Sequence, residues 1–192
     1  MKADSSIKRL DSVASFFLSR IDVLLDPLLE KIAVEGGAQA ALAQSLVGEV
    51  AIASARQAYQ VYHELFAGPR WEALRARGAQ PQRLLWASTG NKNPKYDNLK
   101  YVEALIGPNT VNTIPVETLD LYRAHGRPAA RLVDAAAPDV LGRLPELGLD
   151  LEALTDQLER EGAQKFTEPF GKLMNVLEQE RQKALAEGRP VR

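Results

Sequence analysis

Three short apolar segments, separated by longer stretches with helical periodicity, constrain the fold of this chain more than any other feature. The segments are residues 12–18, 83–87 and 110–114, and their length and their content of aromatic and β-branched residues are typical of strands. A helical stretch follows each of them, so the order along the chain is βαβαβα. Strands joined by helical crossovers pair in parallel. The sequence therefore predicts an α/β fold with a parallel sheet.

The helical stretches are recognised by apolar residues three and four apart and by the glycines and prolines that end them. They cover residues 22–34, 38–66, 97–106, 115–125 and a charged tail at 149–187. No fixed-period repeat and no abrupt change of composition separates one part of the chain from another. We therefore expect a single domain over residues 1–192.

Polar residues follow each predicted strand at its carboxyl end. Ser19 and Arg20 follow the first strand, residues 88–92 (STGNK) follow the second, and Asn112 and Thr113 end the third. Ligands of parallel α/β folds bind at the carboxyl ends of the strands. Two cations, several hydroxyls and a glycine-containing turn with free N–H groups suit a phosphate. A polar turn that only caps a strand would have the same composition, so both interpretations stay open at this point.

Composition excludes several classes of function. The formal net charge of -1 provides no electrostatic basis for binding nucleic acid. The chain has no cysteine, so it has no disulfide, thiolate nucleophile or thiolate metal site, and His63 and His125 are too far apart in sequence to suggest a metal site. No signal-peptide pattern and no apolar run of about 20 residues is present. We expect a cytoplasmic protein without a metal, a cofactor or a membrane partner.

Three longer motifs resemble one enzyme family. SVASFFLSRID is similar to a strand that reads roughly S-x-F-x-x-R in transaldolases, RLLWASTGNKNPKY resembles the next strand and its loop, and NLKYVEALIGPNTVNTIP resembles the helix and strand after that. The motifs stand in the family's order, and the resemblance extends over residues 10–177. It implies the C-terminal portion of a TIM (β/α)8 barrel, with strands six to eight, their crossover helices and extra C-terminal helices.

The resemblance also implies an activity. Transaldolases belong to the pentose phosphate pathway and transfer a dihydroxyacetone unit from sedoheptulose 7-phosphate to glyceraldehyde 3-phosphate through a Schiff base on a lysine, without a cofactor. Matched residue by residue, Arg20, Ser88 and Lys92 correspond to the residues that bind the substrate phosphate. Ser15 corresponds to a serine that lines the pocket.

The catalytic aspartate, glutamate and lysine of the family lie on earlier barrel strands. None of the three predicted strand interiors contains Lys, Asp or Glu, and Lys92 and Lys95 lie in a polar loop, where an amine stays protonated. We therefore expect no catalytic residue in this chain and no activity on its own. It would be a fragment that either requires a missing N-terminal half or self-associates through its open strand edges. The alternative is a non-catalytic half-barrel that binds sugar phosphates or another protein.

Four further residues receive a structural interpretation. Trp71 and Trp86 are expected to pack in the core or between helix and sheet. Asp22 and Asp26 stand four apart near the start of a predicted helix. They are expected to complement the positive N-terminus of that helix.

Overall fold

A computed structural model describes residues 7–91, 93–133 and 139–187. The chain divides into two compact units, residues 1–149 and residues 150–192. Each unit is described by itself. The organisation of residues 1–192 as a single domain stays a prediction.

The first unit contains a three-stranded parallel sheet. Its strands are β1 (Val13–Phe17), β2 (Arg83–Ala87) and β3 (Thr110–Asn112), and their order in the sheet is β1-β2-β3. β1 and β2 pair along their whole length, so that their last residues, Phe17 and Ala87, lie opposite each other. The predicted α/β fold with parallel strands is thereby confirmed. β3 ends two residues earlier than the sequence pattern indicates.

In the described residues of this unit, six α-helices connect and follow the strands. They are α1 (Leu18–Glu35), α2 (Ala40–Leu46), α3 (Val50–Leu65), α4 (Gly68–Ala76), α5 (Lys100–Ala104) and α6 (Val116–His125). Short 3-10 helices lie at Ile7–Arg9 and Leu144–Leu147. α1 begins directly after the last residue of β1, four residues before the predicted start. Arg20 therefore lies in the first turn of a helix and not in a loop.

The prediction of one helix over residues 38–66 was wrong, because the chain turns between α2 and α3. Gly48 adopts φ 78° at the turn, a left-handed conformation that glycine accepts without strain. Its N–H donates to Asp26 Oδ1 at 2.8 Å instead of to a helical carbonyl. A Cβ at this position would lie 2.7 Å from Cζ of Tyr96. The glycine thus permits a close approach between the turn and a residue from a distant loop.

The core lies between one face of the sheet and the helices. The Trp86 side chain is 1% exposed, meets the ring of Phe16 edge-on at 6.0 Å and donates from Nε1 to the Leu105 carbonyl at 3.2 Å. Trp71 is 9% exposed and packs against Phe66. Both tryptophans therefore have the packing role predicted for them. The fully buried apolar residues of α1 are Leu18, Leu25 and Leu29.

The opposite face of β1 is open. Val13 and Phe17 are 40% and 38% exposed, and Ser15 between them is also exposed. Within the described part of the chain, β1 pairs only with β2, which leaves its other edge free. An apolar strand edge of this kind is a site where another strand can pair.

Among its described residues, the second unit contains one long helix, α7 (Leu151–Ala186). Asp150 caps its first turn and accepts a hydrogen bond from Glu152 N at 2.9 Å. Several large apolar side chains of this helix are at least half exposed, among them Phe166, Phe170, Leu173 and Leu177. Across the residues that the structure describes, no helix is long and apolar enough to span a membrane.

Candidate anion-binding site at the strand ends

One backbone hydrogen bond joins the carboxyl ends of β1 and β2. The N–H of Ser19, in the first turn of α1, donates to the carbonyl of Ser88 at 3.2 Å. Arg20 follows Ser19 directly, so its backbone and that of Ser88 lie at the same edge of the sheet. The parallel register of β1 and β2 produces this meeting, because it places both strand ends side by side.

Ser88 adopts an uncommon backbone conformation at this edge. Its φ is 54°, in the left-handed region that residues other than glycine rarely occupy. Such conformations concentrate at functional sites, where the surrounding structure maintains them. Successive residues that alternate between right- and left-handed conformations can direct their N–H groups toward an anion. Ser88 as a whole is half-buried.

The residues after Ser88 are fixed against β3 and α6. Thr89 is fully buried, and its hydroxyl donates to Asn112 Oδ1 at 3.0 Å. A Cβ on Gly90 would lie 3.3 Å from Cγ of Pro115, so the backbone here passes close to the start of α6. Within the described residues the Gly90 N–H donates no hydrogen bond. We take this amide as a candidate donor to a ligand.

Arg20 is a cation without a carboxylate partner in the described part of the chain. Its guanidinium group lies over the ring of Phe17, with Cζ 4.6 Å from the ring centroid, and the residue is half-buried. An arginine held against an aromatic ring remains able to bind a phosphate with its outer N–H groups.

The predictions for Ser15 and Lys92, the other two site residues, differ in what the structure shows of them. Ser15 lies on the exposed face of β1, opposite Leu85 of β2. Lys92 lies outside the described residues, so its assignment as the second phosphate-binding cation stays a prediction. The structure thus brings together the backbones at Arg20 and Ser88, and it places Ser15 on the open face of the same sheet.

The interpretation of Asp22 and Asp26 as N-terminal charges of their own helix was wrong. They are the fifth and ninth residues of α1 and are 2% and 5% exposed. Asp22 Oδ1 accepts from Ala51 N at 2.9 Å, in the first turn of α3, so the carboxylate caps a different helix. Its other oxygen, Oδ2, accepts from the Tyr101 hydroxyl at 2.7 Å and from Lys100 Nζ at 3.0 Å.

Asp26 connects α1 to the segment that follows β2. Its carboxylate accepts from Gly48 N at 2.8 Å and from the Tyr96 hydroxyl at 2.7 Å. Burial raises the pKa of Asp26, although both hydrogen bonds act in the opposite direction. Burial and the neighbouring Asp26 raise the pKa of the Tyr96 hydroxyl, so the phenol stays neutral and donates.

Two lysines near the site, Lys95 and Lys100, form ion pairs with carboxylates of α1. Lys95 Nζ pairs with Glu30 Oε1 at 2.7 Å, and the hydrogen bond to Glu30 raises the pKa of Lys95. Lys100 Nζ lies 3.7 Å from the ring centroid of Tyr96 in addition to its contact with Asp22. Among the described residues, no cluster of three His, Cys, Asp or Glu side chains could hold a metal ion.

Sequence signals for the buried carboxylates were present. Leu18, Leu25 and Leu29 define the buried face of α1, and Asp22 and Asp26 fall on that face at the spacing of one helical turn. Carboxylates on a buried face require donors. The position of those donors, in α3 and after β2, depends on tertiary contacts that helical spacing does not reveal.

Comparison with known proteins identifies a family. The model of the transaldolase/fructose-6-phosphate aldolase family matches residues 1–177. The chain is 43% identical over 179 residues to transaldolase 2 of Nostoc sp., an alignment that covers 90% of this chain and 47% of the relative. It is 45% identical over 172 residues to the transaldolase of Thiobacillus denitrificans, and this alignment covers 88% of this chain and 46% of the relative.

A third relative has the same pattern of coverage. The transaldolase of Acidothermus cellulolyticus is 46% identical over 169 residues, which are 86% of this chain and 44% of the relative. The chain thus spans about half the length of the curated relatives it matches. The family match extends over most of the chain and agrees with the three motifs and the parallel sheet. The chain belongs to the transaldolase/fructose-6-phosphate aldolase family.

Proposed function

We propose that this chain supplies the phosphate-binding side of a transaldolase, with β1, β2 and β3 as strands six, seven and eight of a (β/α)8 barrel. The observation that carries the proposal is the hydrogen bond between Ser19 N and Ser88 O, at 3.2 Å. It fixes Arg20 and Ser88 at one edge of the sheet, and that edge is where parallel α/β folds bind their ligands.

In this proposal Arg20, Ser88 and Lys92 hold the phosphate of a sugar phosphate. Arg20 supplies a planar set of donors that matches phosphate oxygens, and Ser88 adds a hydroxyl. The free N–H of Gly90 adds a backbone donor at the same edge. Ser15 lines the pocket from the open face of β1. Together these groups orient the sugar so that its carbonyl end extends away from the phosphate site.

The reaction would be the transfer of a dihydroxyacetone unit from sedoheptulose 7-phosphate to glyceraldehyde 3-phosphate. Its Schiff-base lysine would come from a further segment, because the residues of β1, β2 and β3 include no lysine. This chain would therefore bind substrate phosphate without catalysing the transfer alone. The predicted cytoplasmic location is part of the same proposal.

The open side of β1 is the argument for a binding partner in this proposal. Its free edge and the exposed side chains of Val13 and Phe17 would be covered by an N-terminal half with the missing strands, or by a second copy of the chain. A non-catalytic half-barrel that binds sugar phosphates is the alternative. It shares the same phosphate site and differs only in having no catalytic partner.

Replacing Arg20 by alanine tests the phosphate site. We expect Arg20→Ala to weaken the binding of fructose 6-phosphate about 10- to 100-fold, because one charge-assisted contact contributes about 1.5–3 kcal/mol. Isothermal titration of the full chain measures the dissociation constant. Unphosphorylated fructose, titrated in parallel, shows how much of the affinity depends on the phosphate.

The matched control is Arg83→Ala, which removes the same side chain from the first residue of β2, at the opposite end of the sheet. We expect its dissociation constant to stay within about twofold of the wild-type value. Equal losses in the two variants would contradict the assignment of Arg20, and so would tight binding that persists in Arg20→Ala.

A further inference from the structure

We propose that Asp26 and Tyr96 are positioning residues for the phosphate site, which fix the segment carrying Ser88 and Gly90 at a set distance from Arg20. The segment consists of residues 88–91 and 93–99 and is called the β2 loop here. The inference rests on the function proposed above and assigns a role to the carboxylate and the phenol, neither of which contacts the phosphate.

Two hydrogen bonds attach the β2 loop to α1, one near each end of the loop. Near its start, Ser88 O accepts from Ser19 N at 3.2 Å. Near its end, the Tyr96 hydroxyl donates to Asp26 Oδ2 at 2.7 Å. Ser19 and Asp26 belong to the same helix, so both ends of the loop are bonded to α1. Arg20 is the neighbour of Ser19, at the first of these two contacts.

Hydrogen bonds within the β2 loop connect Tyr96 to the residues next to Gly90. Asn91 Nδ2 donates to the carbonyls of Asn93 and Tyr96 at 2.7 and 2.8 Å. Its Oδ1 accepts from Asn93 N at 2.9 Å. Asn91 is the neighbour of Gly90, so a displacement of the Tyr96 backbone would be passed through Asn91 to the Gly90 amide.

The β2 loop and α1 are not packed together along the whole of their contact. A cavity of about 250 Å³ lies between them and is lined by Asp22, Asp26, Asn93, Tyr96 and other residues of both segments. Tyr96 and Asp26 both line this cavity, and the Tyr96 hydroxyl donates to Asp26. The exposed pair Lys95–Glu30 is a further polar contact between the two segments, and exposed pairs contribute little.

The side chain of Tyr96 is held in one orientation by its surroundings. Gly48 leaves room for the ring, since a Cβ there would lie 2.7 Å from the phenol oxygen. Lys100 Nζ lies over the ring at 3.7 Å from its centroid. The ring therefore has a defined site, and the hydroxyl has a defined acceptor in Asp26.

The test compares two hydroxyl deletions in the full chain. Tyr96→Phe removes the donor to Asp26, whereas Tyr101→Phe removes the donor to Asp22, which has the same length, 2.7 Å, but belongs to α5 and not to the β2 loop. We expect Tyr96→Phe to raise the dissociation constant for fructose 6-phosphate about three- to tenfold. We expect Tyr101→Phe to leave it within about twofold, although both variants lose stability.

Amide hydrogen exchange is the second readout. We expect faster exchange of the Asn93 and Tyr96 amides, which donate to Asn91 Oδ1 and to the Asn93 carbonyl within the loop, in Tyr96→Phe than in Tyr101→Phe. Only the first change releases the β2 loop. Asp26→Asn, which keeps the volume of the side chain, should reproduce the loss of affinity in part. Equal dissociation constants for Tyr96→Phe and the wild-type chain would overturn the positioning role alone. A wild-type chain that does not bind fructose 6-phosphate would overturn the proposed function and the positioning role with it.

Discussion

Borohydride reduction of the purified 192-residue chain with fructose 6-phosphate is expected to leave its mass unchanged. A Schiff base needs a neutral amine at the reacting carbonyl. β1, β2 and β3 provide no lysine. The hydrogen bond that Lys95 donates to Glu30 raises the pKa of Lys95, which keeps that amine protonated. Lys100 faces Asp22 and the Tyr96 ring. Intact-mass spectrometry after reduction measures the adduct directly.

A full-length transaldolase treated in the same way shows that the trapping conditions work. Addition of one dihydroxyacetone unit to the chain at stoichiometric yield would contradict the account, and peptide mapping would then identify the reacting lysine. Partial, non-saturating labelling of exposed lysines would not contradict it, because such labelling would also occur with unphosphorylated fructose at the same concentration.

Replacement of Asp22 by alanine is expected to cost about 3–5 kcal/mol in the free energy of unfolding, because it breaks a buried ion pair from one side. The change leaves Lys100 without its carboxylate and removes the acceptor of the Tyr101 hydroxyl and of the Ala51 N–H. Asp22→Asn keeps one acceptor oxygen, so we expect an intermediate loss. Urea denaturation followed by circular dichroism measures both variants.

Glu30→Gln is the matched control for an ion pair on the same helix. Glu30 pairs with Lys95, whose side chain is 70% exposed, and exposed pairs contribute about 0–1 kcal/mol. A loss below about 1 kcal/mol in Asp22→Ala would show that the buried carboxylate does not hold α1, α3 and α5 together.

Local sequence patterns determine much of the fold. The strands β1 and β2 are predicted by short apolar runs, since consecutive apolar residues suit a buried parallel strand. Their parallel pairing follows from the helices between them. The start of α1 was placed four residues too late, because Ser19 and Arg20 were interpreted as a polar strand end. A polar residue in the first turn of a helix has the same local pattern.

Non-local contacts account for what the sequence could not predict. The break at Gly48 depends on Tyr96 and Asp26, which are distant in sequence. The burial of Asp22 likewise depends on donors from α3 and α5. Residue spacing identifies the helix face on which a carboxylate lies, but it does not identify the donor that meets it. At the carboxyl ends of β1 and β2, by contrast, the parallel register alone brings Arg20 and Ser88 to the same end of the sheet.

A crystal structure of the chain with bound fructose 6-phosphate tests the shared phosphate site most directly. The account predicts one phosphate group whose oxygens lie within about 3.2 Å of both the Arg20 guanidinium and the Ser88 hydroxyl. Crystals soaked with unphosphorylated fructose should lack density at that position. A phosphate bound elsewhere on the chain, or one that contacts Ser88 while the Arg20 guanidinium stays directed away from it, would contradict the account.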